Sequence, residues 1–175
     1  MHFEPGQIVV HPHHGPATVT GIVTRAVRRN NRKYLELETH DQRLQISIPL
    51  DGADEIGLRN LLCANDRAKL LEVLAAPTTH VEKGWSRRIK AHQQKVRSGD
   101  LALIAEVVRD LTRRQQDSGI SLGERELLRE AMTPLVEELS ICVDADEETV
   151  TKALNDCILT GVIPAVQTPE LAVAS

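Results

Sequence analysis

The chain is short of the residues that carry most catalytic and membrane chemistry. Its 175 residues include three cysteines, one Trp, one Tyr and one Phe. Cys63, Cys142 and Cys157 are odd in number, far apart and never in a Cys-x-x-Cys pair. That argues against a disulfide framework or thiolate zinc site and leaves them as small buried hydrophobes. No apolar run approaches the ~20 residues of a membrane-spanning helix, and Met1-His2-Phe3-Glu4 lacks the basic and apolar regions of a secretory signal. A cytoplasmic protein without a membrane partner is expected. There is no Gly-x-Gly-x-x-Gly, no Gly-Lys-Ser/Thr phosphate loop, no Gly-x-Ser-x-Gly and no His-Glu-x-x-His. No enzyme activity, cofactor or small-molecule substrate is therefore expected.

What is present suits folded, soluble modules: 41% hydrophobic and 26% charged residues, close to ordinary globular values. The length admits one domain or two small ones. With 21 Lys+Arg against 25 Asp+Glu and a net charge of −4, the whole molecule is no general polyanion binder, because such affinity needs many cation–phosphate contacts. The charge is uneven. From Lys83 to Arg97 run Lys83, Arg87, Arg88, Lys90, Lys95 and Arg97, with His92 and no carboxylate, whereas beyond Met132 Lys152 is the sole Lys or Arg.

The first fifty residues read as strands. Gln7 to His11 is a β-branched run, stopped by Pro12-His13-His14-Gly15-Pro16. Ala17 to Val27 follows, with Gly21 as a bulge or bend. Arg28-Arg29-Asn30-Asn31 is a polar turn, Lys33 to Glu38 alternates through Leu35 and Leu37, and His40-Asp41-Gln42 turns again. Arg43 to Ile48 places Leu44, Ile46 and Ile48 on one face. Short antiparallel strands at this spacing make a small, strongly bent sheet or half-open barrel.

After Pro49 the period becomes helical. A short helix runs to Pro77, another spans 85–98 with an apolar stripe of Trp85, Ile89 and Val96, and a third after Ser98-Gly99-Asp100 turns Arg109, Arg113 and Arg114 outward. Ser121-x-x-Glu124 is a capping box opening a helix that Pro134 kinks or interrupts. Asp144 to Glu148 starts the last helix, with carboxylates suited to its N-terminal dipole. The expected class is α+β, with a β-rich module over 1–52, a helical module over 53–160 and a loose tail over 161–175.

His11, His13 and His14 form the one cluster suggestive of metal. A site needs a third or fourth ligand that nothing nearby supplies, so the imidazoles are expected to hydrogen-bond backbone at a tight corner, with no metal. The Trp85 segment says more. A large apolar ring flanked by cations is the combination minor-groove proteins use to unstack bases. A tryptophan on an apolar stripe, however, packs into a core by default. The basic helix could equally be a solvated face, although no carboxylate at i±4 relieves its repulsion. Arg25, Arg28, Arg29, Arg32 and Lys33 form a second basic group, suited to solubility or to an acidic partner.

Several collinear stretches resemble one family. They are Phe3-x-x-Gly6-x-x-Val9-Val10-x-Pro12-x-His14-Gly15, Tyr34-Leu35-x-Leu37, Ile48-Pro49, Gly57-Leu58-Arg59, Trp85-Ser86-Arg87-Arg88-x-Lys90-Ala91, Ser98-Gly99-Asp100 and Ala105 to Leu111. Together they resemble the CarD (CdnL) transcription regulators of bacteria. The resemblance implies a Tudor-like, SH3-like bent sheet, shared with the transcription-repair coupling factor, that binds the RNA polymerase β subunit. It also implies a helical domain that contacts promoter DNA at the upstream edge of the melted −10 region, with Trp85 as a wedge holding the bubble open. The DNA-facing set is then Trp85, Arg87, Arg88, Lys90, Lys95 and Arg97. The polymerase-facing set is Arg25, Arg28, Arg43 and Ser47, the last standing where some relatives carry a basic residue. A nucleoid-associated monomer is expected. Its rivals are an architectural DNA-binding protein acting alone and a protein-interaction adaptor with Trp85 in its core.

Overall fold

A computed structural model describes residues 3–27, 30–40, 44–79, 82 and 84–164. Arg28-Arg29 and Asp41-Gln42 of the expected turns, Arg43 at the expected start of the fourth strand, and the tail from 165 onward lie outside the described residues, while Asn30 and Asn31, expected in a turn, open a strand. The chain divides into two compact units, one up to Leu61 and one from Leu62.

The first unit is a five-stranded antiparallel sheet: β1 (Ile8–His11), β2 (Gly15–Val27), β3 (Asn30–Thr39), β4 (Gln45–Pro49) and β5 (Arg59–Asn60), in the order β4-β3-β2-β1-β5. Alternation decides what is buried. Leu35 and Leu37 point to one face of β3 and are fully buried with Val9, Ala17, Val19 and Ile48, while Tyr34 and Glu36 take the other face. The pairing slips one residue between Val19 and Gly21, a bulge that lets a thirteen-residue strand bend over its own core. That bulge was legible at Gly21. Gly15, at φ +66°, turns β1 into β2. A 3-10 turn (Leu50–Gly52) and helix α1 (Ala53–Ile56) lead to β5. Ala53 and Leu58 bury in the sheet's core, so this unit continues past the change of period at Pro49.

The second unit holds α2 (Ala64–Ala75), α3 (Trp85–Arg97), α4 (Leu101–Asp117), α5 (Leu122–Val143) and α6 (Glu147–Thr160). None of the described helices is long and apolar enough to cross a membrane. Helix α4 is its axis: Ile104, Ala105, Val107, Val108 and Leu111 are buried, and α2, α3, α5 and α6 all pack on it. A helix enclosed in this way has little outer face, which corrects the expected placement of Arg109 and Arg113; Arg114 stays partly exposed, its Nε 3.7 Å from Glu124 Oε1. Arg109 is buried, donating from Nη1 to the Val73 carbonyl at 3.1 Å and from Nε to Asp110 at 2.9 Å. Arg113 donates to the carbonyls of Ala75 (3.1 Å), Ala76 (2.7 Å) and Ile158 (3.0 Å), the acceptors that helix C-termini leave unpaired. Pro134 does not interrupt α5, which runs from Leu122 to Val143. The carbonyl its missing N–H leaves unbonded belongs to exposed Glu130, where water can reach it.

Leu35→Ala is expected to cost about 2–5 kcal/mol of sheet stability by leaving a cavity, and Ile22→Ala, on the same face but 44% exposed, clearly less than that. Urea unfolding followed by far-UV circular dichroism checks both.

Candidate functional site

Helix α3 has a charged side and a packed side, and 100° per residue sorts them. Arg87, Lys90, Gln94 and Arg97 fall on one exposed strip, while Arg88, Ile89, His92 and Val96 turn inward. Among the described residues no ion pair engages Arg87, Lys90 or Arg97. Lys95 lies off the strip and its Nζ contacts Glu106 of α4 at 2.6 Å. The carboxylates missing from the sequence neighbourhood of these cations come partly from other helices.

Arg88 is the sharpest case. Expected at a phosphate, it is 5% exposed, with Nε and Nη2 both 2.8 Å from Oε1 of Glu124 and Nη1 on the Glu82 carbonyl at 3.2 Å. Two donors on one carboxylate, both groups out of water, make a strong charge-assisted pair. As placed, Arg88 is a fastener between α3 and α5. Gly123 allows the close approach, since a Cβ there would come within 3.3 Å of Ile89 Cδ1.

Burial alone raises the Glu124 carboxyl. Hydrogen bonds from the Ser121 backbone N–H, from Arg88 and from the Ser121 hydroxyl, with the Arg88 charge, outweigh it and hold the group below the usual glutamate range. His92, buried on the same side of α3, is lowered chiefly by desolvation, which Asp110 partly opposes and Lys95 and Arg88 reinforce.

Trp85 is the first residue of α3, and its ring reaches Ser121, the N-cap of α5. It is 54% exposed, and its Nε1–H donates to Ser121 Oγ at 3.1 Å. The core placement that tryptophan statistics favour is not the one found; Ile89 and Val96 pack against the helical core without it. Ser121 was noted in sequence only as a helix cap. Nothing in the pattern tied it to Trp85, because the link is a tertiary contact between α3 and α5.

In the sheet unit, directly paired residues share a face, and Arg25↔Arg32, Val23↔Tyr34 and Glu36↔Ser47 set one exposed surface. Arg25 reaches Glu36 Oε1 at 2.8 Å, with its guanidinium carbon 5.6 Å from the Tyr34 ring centroid. Arg25 and Ser47 thus lie on the same face, both beside Glu36. Arg28 and Arg43 are outside the described residues. At the Pro12 corner His11 is buried, accepts the His13 N–H on Nδ1 at 3.1 Å, and has the His14 ring 4.7 Å away. Desolvation, then the neighbouring imidazoles, lower its pKa. Among the described residues no group of three or more His, Cys, Asp or Glu could hold a metal ion.

A sheet unit with a polar, cation-bearing face and a helical unit with a half-exposed indole at the head of a cation-bearing helix define a two-module protein of α+β class. Two family models match the chain: the CarD-like/TRCF RID domain over residues 3–62 and the CarD C-terminal domain over residues 69–155. The chain belongs to the CarD family. Those domains point to a transcription regulator that interacts with RNA polymerase, and to a transcription factor rather than an enzyme. It is also similar to the Bacillus subtilis (strain 168) protein named "Putative transcription factor YdeB", 21% identical over 85% of this chain and 97% of that protein.

Removing one side of the buried pair, as in Arg88→Ala, is expected to cost about 3–5 kcal/mol, measurable by urea unfolding. The same pair sets an acid limit. A carboxyl lowered in the folded state contributes stability in full above its ordinary 4.5 and loses it as pH falls through the folded value. A histidine kept neutral by burial already subtracts stability as pH drops below 6.5. Melting temperature should therefore decline from about pH 6.5 downward, with the steeper fall below pH 4.5 flattened in Glu124→Gln.

Proposed function

We propose that the sheet unit docks on the β subunit of RNA polymerase and that the helical unit stabilises the open promoter complex, with Trp85 entering at the upstream edge of the melted −10 region. The observation that carries this reading is the half-exposed indole at the head of a helix whose free cations, Arg87, Lys90 and Arg97, share one face. Cations on such a strip meet phosphates, and an apolar ring at the head of the same helix meets unstacked bases.

Arg87, Lys90 and Arg97 are the phosphate contacts. Lys95, half committed to Glu106, adds to the local positive potential, and Arg88 holds the helix that presents the ring. Three or four cations on a protein of net charge −4 leave little affinity for bare duplex, given the roughly 10⁻⁴–10⁻⁶ M of ordinary non-specific binding. Docking on polymerase makes the DNA contact intramolecular, at an effective concentration on the order of mM. A ring that binds melted DNA better than closed duplex shifts the equilibrium between them by that difference. The regulator acts as a monomer and needs no cofactor.

On the sheet unit, Arg25 is held by Glu36 and Tyr34 in a fixed pose beside Ser47. Such a pose loses less entropy on meeting a partner carboxylate. Arg28 and Arg43 extend this basic group in the sequence.

Trp85→Ala should shorten the open-complex lifetime on a purified promoter about 5- to 150-fold, the equivalent of the ~1–3 kcal/mol of aromatic–base stacking. An unchanged lifetime with a folded protein refutes the wedge. Arg25→Glu should reduce co-purification of RNA polymerase about tenfold or more by setting like charge against the partner. Tight, salt-sensitive binding of the unaltered protein to bare duplex would instead identify an architectural DNA-binding protein acting alone.

A further inference from the structure

We infer that Ser121 is a positioning residue for Trp85: its hydroxyl holds the indole by the ring N–H and leaves the exposed surface of the ring for apolar contact with DNA bases. The inference rests on the reading of Trp85 as the wedge.

The bonding of this hydroxyl is complete. A serine hydroxyl has one hydrogen to give and two lone pairs. Its oxygen lies 3.1 Å from Trp85 Nε1 and 3.3 Å from the Glu124 backbone nitrogen, both of which can only donate. The hydroxyl hydrogen is therefore left for Glu124 Oε2, 2.9 Å away. Oε2 also accepts the Ser121 backbone N–H at 3.0 Å, and Oε1 accepts Arg88. From indole to guanidinium, each group fixes the direction of the next, and the chain begins and ends on α3. The last member is buried, so the rotamer of an exposed ring is set from inside the unit. Helix capping alone would use the contacts between Ser121 and Glu124 and would leave the indole free.

Two consequences follow for the wedge. A ring already oriented loses less rotamer freedom on entering a base step. And an N–H committed to Ser121 is not available to read a base edge, so the ring acts through its faces and its contribution is insensitive to the base pair it displaces.

Trp85 is the sole tryptophan, so its fluorescence reports on this ring alone and needs neither DNA nor polymerase. Glycine caps a helix nearly as well as serine, which makes Ser121→Gly a variant lacking the hydroxyl but keeping the cap; Ser121→Thr restores it. In Ser121→Gly the time-resolved anisotropy should gain a fast, sub-nanosecond component, and the open-complex lifetime should fall about two- to tenfold, the range of one lost hydrogen bond. Ser121→Thr should recover both, with circular dichroism unchanged throughout. An anisotropy decay identical in Ser121→Gly and the unaltered protein overturns the anchor. A lifetime shortened by Trp85→Ala but untouched by Ser121→Gly overturns the positioning role while the wedge stands. Faster ring motion in Ser121→Gly, with a lifetime indifferent to both variants, leaves the anchor standing and removes the wedge.

Discussion

The arrangement of the helical unit turns on one buried ion pair, Arg88 with Glu124. Two charges out of water are costly, and this pair is tolerable because each nitrogen of the Arg88 guanidinium and each oxygen of Glu124 has a partner. Glu124 accepts four contacts from Arg88 and Ser121, and α3 cannot rotate about its axis without breaking them. Fixing the rotation of α3 fixes which of its residues face outward. The strip of Arg87, Lys90 and Arg97 and the exposure of Trp85 are thus both consequences of a contact that touches no ligand.

This division of labour also explains how a net-acidic protein carries a basic surface. Cations that would crowd one another along α3 are partly drawn off: Arg88 into the interior, Lys95 to Glu106 on α4. What remains outside is spaced along the helix, with Arg87 and Lys90 one turn apart and Arg97 two turns further on. That limits repulsion within the folded state and keeps the surviving charge on one line.

Much of the fold was readable in the order of residues. The alternation of Leu35 and Leu37, the bulge at Gly21, the capping box at Ser121 and Glu124 and the starts of α3 and α6 are local signals, and local physics decides them. The failures share a cause. Arg109 and Arg113 looked external because a polar residue on an amphipathic helix ordinarily faces water, but α4 is surrounded and its guanidinium groups serve carbonyls of other segments. Arg88 looked like a phosphate contact because its carboxylate partner lies 36 residues away. For Trp85 the stripe alone favoured a core, and it was the family resemblance, not periodicity, that turned the ring outward, as its 54% exposure has it. Each error concerned a pairing between distant segments, which periodicity does not encode.

Arg113 has an effect on how this unit comes apart. One guanidinium ties the final carbonyls of α2 to a carbonyl in the last turn of α6. Fraying at either end leaves part-buried guanidinium donors without acceptors, so two helix termini that would ordinarily open freely each carry a penalty set by a side chain of a third helix, α4. The ends of α2 and α6, ordinarily the first turns to open, are thereby anchored to the most enclosed helix of the unit.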